Sequence, residues 1–448
     1  MIDMEPKILP QPIFHEPFFN EDKPSPDPTG FETRHPSDNA TYKRIENLLT
    51  QDVVDIPSSR IADDEVFGLD KAYGAHGAEV LAKIKKAGKI IFHSCGDSGT
   101  STTRKYANEL RVADQVSIDC LRSDVNNRPA FLFHLGDVVY NFGEARYYYD
   151  QFYEPFRAYP APIFAIPGNH DSFVVPGTPD DQRPLLTFQR NFCAEQPVIT
   201  AEAGSLHRTA MTQPGVYFTL DAPFVRIIGL FSNALEDPGV ISNRSKKWST
   251  VDDTQLTFLA AQLNRIRQEK YTGAVLLATH HPPFCYAPAK RDAGVGGNHS
   301  SSLVMLREID TVCRQEGVYP HAFLSGHAHN YQRYTRTVNF GGKVFDVPFI
   351  VCGDGGHNVN PLVRAKKGQQ PDEPQNGMNV DYLDSHAALK VKELLLEKYD
   401  DINYGYLRIH VDKEQLRIGF HQVGAQTLAQ SRYDMVTVSL SDHTTVAN

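Results

Sequence analysis

Residues 131–140 read FLFHLGDVVY, an apolar run that ends in Gly136 and Asp137. Such a run is long enough for a buried strand, and the glycine turns the backbone so that the next side chains project from the strand's carboxyl end. The same design occurs four more times. Residues 90–99 read IIFHSCGDSG, 163–171 IFAIPGNHD, 274–283 AVLLATHHPP and 322–331 AFLSGHAHNY. In open α/β sheets, ligands bind outside the carboxyl ends of the strands. Five strand ends therefore deliver Asp97, then Asp137 with Tyr140, Asn169 with His170, His280 with His281, and His327 with His329. Core packing does not account for carboxylate, amide and imidazole at all five ends. A metal centre does.

Asp, Asn, His and Tyr are borderline-to-hard donors, and no cysteine joins them. That set favours Fe, Mn, Zn or Co over thiolate sites, and its imidazoles disfavour Ca or Mg alone. Asp97, Asp137, Asn169, His280, His327 and His329 are too many ligands for one catalytic metal. Two metals roughly 3.5–4 Å apart, sharing one carboxylate, would use them all. Such a pair polarises a phosphoryl oxygen, acidifies a bridging water and clamps both oxygens of an in-line displacement.

The chain has 448 residues, enough for one large domain or two ordinary ones. Its formal charge of −9 argues against nucleic acid or an anionic membrane as the main partner. A phosphate-handling site must then draw positive charge locally, from metals and a few basic side chains. No apolar stretch approaches the roughly 20 residues that span a bilayer. The start, MIDMEPKILPQPIF, has no basic region leading into an apolar one, so it does not read as a secretory signal. Of the six cysteines, Cys95, Cys313 and Cys352 fall in core-like segments and no CxxC pair occurs. Buried free thiols and a cytoplasmic location are expected.

Residues 1–88 read as an N-terminal extension, largely irregular, with short helices at 38–49 and 78–86. Residues 89–425 form the main domain, alternating strands with helices at 103–113, 144–156, 254–269 and 304–316. The low-periodicity stretch 172–213 reads as a lid or substrate-facing insertion. Strands at 404–411 and 415–422 close the sheet, and 426–448 is expected to be a C-terminal tail.

The ordered motifs Gly96-Asp97-Ser98-Gly99, Gly136-Asp137 with Tyr140, Gly168-Asn169-His170-Asp171, His280 with Pro282, and Gly326-His327-Ala328-His329 resemble those of the calcineurin-like metallophosphoesterases. Within them the chain is most similar to purple acid phosphatases, whose first motif ends in Gly, as at Gly99, and whose second ends in Tyr, as at Tyr140. His134, Tyr331, Arg333 and the Gly353-Asp354-Gly355-Gly356 turn also have counterparts, so the resemblance spans about residues 89–422.

This resemblance implies an α/β fold, a four-layer αββα sandwich with two mixed β-sheets. It implies Asp137 as the bridging ligand, Asp97, Tyr140 and His329 on one metal, and Asn169, His280 and His327 on the other. The metals implied are Fe(III) plus a divalent Zn, Mn or Fe, and His170 would protonate the leaving group of a small phosphorylated substrate. The chain departs from the family's secreted members in lacking an evident signal peptide and N-terminal β-sandwich domain. Its 287–302 loop also lacks a close histidine pair.

The leading expectation is a phosphomonoesterase, with a phosphodiesterase or nucleotidase as the alternative and a non-catalytic scaffold as a remote one. No protein partner is implied. His281 reads as either substrate-facing or structural, and His299 as a substrate contact or an ordinary loop residue. Lys290 and Arg291 read as solvated charges. Asp171 either orients a histidine or caps the next segment. His93 and His134 read as hydrogen-bonded histidines inside strands.

Overall fold

Each of the five apolar runs becomes a buried strand in the computed structural model. The structure describes residues 10–14, 59, 65–100, 103–140, 142–172, 184–235, 238–244, 251–285, 302–362, 375–384, 389–424 and 430–447. The chain order begins with β1 (Val66–Gly68), α1 (Leu69–Ala72), α2 (Gly77–Ala87), β2 (Lys89–Cys95), α3 (Thr103–Arg122), β3 (Leu132–His134) and β4 (Ile163–Ala165). It continues with α4 (Pro184–Phe192), β5 (Phe218–Ala222), β6 (Val225–Leu230), α5 (Thr254–Gln268), β7 (Ala274–Thr279), α6 (Leu303–Glu316) and β8 (Ala322–Ser325). The remainder is all strand: β9 (Tyr331–Phe340), β10 (Lys343–Cys352), β11 (Met378–Asp384), β12 (Leu389–Asp400), β13 (Tyr404–Asp412), β14 (Gln415–Val423), β15 (Gln430–Ser439) and β16 (Thr445–Ala447).

These strands form a nine-stranded sheet in the order β1-β5-β6-β7-β8-β10-β9-β12-β11 and a seven-stranded sheet in the order β16-β15-β14-β13-β2-β3-β4. Both are mixed. The site-bearing strands β6-β7-β8-β10 and β2-β3-β4 run parallel, which is why they read as continuous apolar runs: both faces are covered. The flanking antiparallel strands bury alternate residues, as β13 does.

The sheets face each other. Phe133 and Phe164 of the smaller sheet lie 6.1 and 6.3 Å from Phe218 of the larger, and Tyr331 stacks on Phe420 at 4.0 Å. Helices α5 and α6 cover the larger sheet; α2 and α3 cover the smaller. On α5 the expected face, Leu256, Leu259, Leu263 and Ile266, is buried. The four-layer sandwich with two mixed sheets is therefore the observed architecture.

Several boundaries differ from the sequence reading. The expected tail is not a tail: β15 pairs with β14 along its length, and β16 closes the sheet edge. Val436 and Val438 point inward and are fully buried, so burial of alternate apolar residues draws this segment into the sheet. At the other end, β1 pairs parallel with β5 and extends the larger sheet. Residues 10–14 are also tied down, with Ile13 N donating to Thr209 Oγ1 at 2.9 Å and Arg208 donating to the Phe14 carbonyl.

From residue 184 on, the stretch read as a lid is part of the body. Phe188 and Phe192 are buried against each other, and Gln213 pairs through its amide with both backbone groups of Ala165. The expected helix at 144–156 is instead a 3-10 turn (Ala145–Tyr147) followed by a π-helical turn (Tyr149–Tyr153). The helix expected at 38–49, together with Lys290, Arg291 and His299, lies outside the described residues. All six cysteines are free. Among the described residues, no helix is long and apolar enough to cross a membrane.

Candidate metal centre

Asp97, Asp137 and His327 each follow a parallel strand at the carboxyl end, and all three adopt left-handed backbone, with φ of 57°, 56° and 68°. For residues with a Cβ this conformation is strained, and such strain gathers where a surrounding structure holds a functional group in place. Glycine makes the geometry possible at two neighbours. Gly136 takes φ of 98°, and a Cβ on Gly168 would sit 2.1 Å from Asp137 Oδ1. The carboxylate therefore occupies space that only glycine leaves open.

The side chains form two groups joined by Asp137. In the first, Tyr140 Oη donates to Asp97 Oδ1 at 3.0 Å and lies 3.2 Å from His329 Nε2, which is 3.4 Å from Asp97 Oδ1. In the second, Asn169 Oδ1 lies 3.0 Å from His280 Nε2 and 3.1 Å from His327 Nδ1. Asp137 Oδ2 is 3.4 Å from His280 Nε2, while Oδ1 accepts the His170 backbone N–H at 2.9 Å. One ligand atom each of Asp97, Asp137 and His280 fall within 4.8 Å of one another. Of all these residues only His170 is half-buried; the others are buried. The sequence-predicted set Asp97, Asp137, Tyr140, Asn169, His280, His327 and His329 is thus brought to one place, with His170 at its margin.

The donor chemistry fits cations. His280 Nδ1 sits 2.8 Å from the Leu135 carbonyl, which can only accept, so Nδ1 carries the proton. Loss of the other ring proton leaves an Nε2 lone pair aimed at Asn169 Oδ1 and Asp137 Oδ2. Asp137 Oδ2 is buried and accepts no hydrogen bond. Carboxylate and amide oxygens converging in a buried site call for positive charge among them. The electrostatics show the same demand for positive charge, which a proton on His280 Nε2 meets as a cation would. Burial, reinforced by Asp137, raises the Asp97 carboxyl against the pull of His280. Burial also works to raise Asp137, but His280 and His170 outweigh it and hold that carboxyl down. Burial works against the His280 proton, but Asp137 and Asp97 prevail and push it up to about 9.

The remaining candidates have structural partners. His281 Nδ1 meets Ser232 Oγ at 2.7 Å and Nε2 meets the Leu235 carbonyl at 2.8 Å, so both ring nitrogens are engaged away from the donor cluster. Its ring packs 4.3 Å from that of His327. Asp171 accepts from the backbone N–H of Val138, Val139 and Gly168, which ties the second motif loop to the third. It orients loops rather than a histidine. His134 accepts from Gly136 N and faces Ser98 Oγ at 2.9 Å, joining the first two motifs. His93 is held between Tyr159 and Asp119.

Three neighbours were not expected. Gln151, presented by the π-helical turn, accepts from Tyr140 N and donates to Tyr140 O at 2.8 and 2.7 Å. π-turns of this kind recur at functional sites. His357 stacks on the Tyr140 ring at 3.6 Å, and Lys105 reaches His357 Nε2 at 2.7 Å. A signal for His357 was present: like the five motifs, it follows a buried strand and a glycine turn. Nothing in sequence marked Gln151 or Lys105.

Comparison with known proteins gives one family and several distant folds. No curated protein matches the chain. Among solved structures, PhoD matches at 13% identity and TM-score 0.46, over 80% of this chain and 71% of that one. GAP50 of Plasmodium, described as the anchor in the inner membrane complex, matches at 10% identity and TM-score 0.44, over 77% and 88%. A conserved protein of Streptococcus pneumoniae described as a predicted phosphoesterase matches at 11% and TM-score 0.27, over 78% and 98%. The family model for calcineurin-like phosphoesterases matches residues 95–331. That span is more than half of the chain and holds every residue of the donor cluster. The chain belongs to the calcineurin-like phosphoesterases, metal-dependent hydrolases of phosphate esters.

Proposed function

We propose that this chain is a binuclear phosphomonoesterase of the purple acid phosphatase type. The observation that supports this most is the position of the Tyr140 hydroxyl, 3.0 Å from Asp97 Oδ1 and 3.2 Å from His329 Nε2. In this reading Asp97, Tyr140 and His329 hold Fe(III), while Asn169, His280 and His327 hold a divalent Zn, Mn or Fe, with Asp137 shared. When bound, such a pair supplies Lewis acidity toward a phosphoryl oxygen and an acidified water.

The chain's own groups do the rest. Water attacks phosphorus in line with the P–O bond to the leaving group, and that bond's electron pair leaves on the alkoxide. His170, half-buried and with its ring centroid 4.3 Å from that of Tyr140, donates the proton that this oxygen needs. Its backbone bond to Asp137 Oδ1 keeps it at the margin of the donor cluster, where the leaving group would lie in this reading. The test of the reading is metal content together with hydrolysis of a panel of monoesters and diesters, with added Fe, Zn and Mn. Preferential diester cleavage would replace the monoesterase assignment.

His170→Ala should lower turnover by roughly 10²–10⁴ for alkyl phosphates, the usual worth of a general acid. Aryl phosphates with acidic leaving groups should lose much less. Equal losses on both classes, measured side by side, would assign His170 to binding instead.

The iron assignment has its own signature. Burial, with Asp137 and Asp97 adding to it, raises the Tyr140 phenol well above its ordinary value. Only a strongly Lewis-acidic ion would deprotonate it near neutrality. Aerobically purified protein should therefore show a visible tyrosinate charge-transfer band, and Tyr140→Phe should bleach it with the fold retained. A band that survives the substitution removes Tyr140 from the ligands.

A further inference from the structure

Segment 353–360, which follows β10, wraps the proposed centre without contributing to the ligand set. Gly355 N donates to the Gly96 carbonyl, His357 N to Asp97 O at 2.9 Å, and Asn360 N to His329 O at 2.8 Å. The His357 side chain touches four more groups, one of them the His329 ring, which it meets edge-on at 5.1 Å. Its Nδ1 lies 2.7 Å from the Gly99 carbonyl, so Nδ1 carries the proton and donates. Nε2 is then an acceptor, and Lys105 Nζ donates to it at 2.7 Å. The ring lies nearly parallel to Tyr140, centroids 3.6 Å apart and planes 21° apart.

The position of Lys105 is unfavourable by itself. It sits in the first turn of α3, where the helix dipole repels a cation, and it is partly buried. Burial pushes its ammonium down to about 8. Its ammonium is directed onto His357. An imidazole that accepts from an ammonium is electron-poor, which strengthens its stacking on an electron-rich phenol.

We propose that Lys105 and His357 form a brace that positions Tyr140 for metal binding: the ammonium fixes the imidazole, and the imidazole fixes the phenol ring from its face. Gln151 fixes the same residue through its backbone. Tyr140 is thus held at both main chain and ring, and its hydroxyl is left no freedom to swing from Asp97 and His329. Lys105 and His357 are positioning residues. The inference rests on the placement of Tyr140 in the metal centre.

Loading of the metal-free protein with ferric iron from a weak chelate tests it, read by the tyrosinate charge-transfer absorption rather than by activity. Lys105→Met removes the ammonium, and His357→Phe keeps the stack but loses both side-chain hydrogen bonds. Each should weaken ferric binding by roughly 10–100-fold, the usual effect of losing a partner behind a ligand, and shift the band. Binding of zinc at the other site and the melting point of metal-free protein should stay near wild type, and Lys105→Arg should restore much of the loss. Wild-type affinity and spectrum in both variants would overturn the brace alone. So would equal weakening of both ions with a lowered metal-free melting point, since that is general destabilisation. Wild-type protein that takes up no iron, or takes it up without the band, would overturn the metal reading and the brace together.

Discussion

Asp137→Asn is expected to cut phosphoester hydrolysis by roughly 10³-fold or more, equivalent to about 4 kcal/mol of transition-state stabilisation. The substitution changes no volume and keeps the buried turn, so circular dichroism and the melting profile without metal should be little altered. What it removes is the one carboxylate placed between the two donor groups, with Oδ2 buried and without a hydrogen bond and Oδ1 on the His170 backbone. In the proposed two-metal reading, a neutral amide there would not balance the cations, and its NH2 would aim protons at the metal position. Metal analysis should show at most one equivalent retained. Near-wild-type turnover with two equivalents bound would remove Asp137 from the centre.

Asp434→Ala should destabilise the fold by about 3 kcal/mol, near the low end of the cost of breaking a buried ion pair, because Glu397 stays 4.0 Å from Arg333. Arg333 and Asp434 are both buried, and their paired hydrogen bonds measure 2.6 and 3.0 Å. Tyr331 Oη also donates to Asp434 at 2.7 Å. Arg333 and Tyr331 belong to β9 of the larger sheet and Asp434 to β15 of the smaller, so the loss would be felt between layers. Urea denaturation of the single variant should show the full shift in midpoint. The double replacement Arg333→Met with Asp434→Leu should recover much of it, because an apolar pair of similar size is close to neutral. No recovery would mean that the Tyr331 hydroxyl, left without its acceptor, carries most of the effect.

The same pair explains what sequence could and could not reveal. Strands β2, β3, β4, β7 and β8 were legible because covered faces demand unbroken apolar runs, and the donors were legible because they stand just beyond those runs. β9 was not, since YQRYTRTVNF buries Tyr331, Gln332 and Arg333, which draw hydrogen-bond partners from as far as 103 residues away. β12 was hidden differently. Its Leu394-Leu395-Leu396-Glu397-Lys398 favours helix by composition, yet pairing with β9 buries Leu394 and Leu396 and turns the others outward. Tertiary pairing overrides local preference there. The choice of His280 over His281 followed from the motif, but that Ser232 and Leu235 occupy the second ring could only come from the fold. Lys105 and His357 are 252 residues apart, and no local pattern announces a contact at that range.

The donors are divided between the layers: Asp97, Asp137 and Asn169 extend from β2, β3 and β4, while His280, His327 and His329 extend from β7 and β8. On the proposed ligand assignment, ions held by both sets would act as rivets through the sandwich. By mass action their occupancy enters the folding equilibrium itself, adding RT ln(1 + [M]/Kd) for each site, about 2.7 kcal/mol at a hundredfold excess over Kd. Free metal concentration would then set how stable the fold is as well as how fast it works. A chelator would loosen the seam between the two halves as it silences the chemistry.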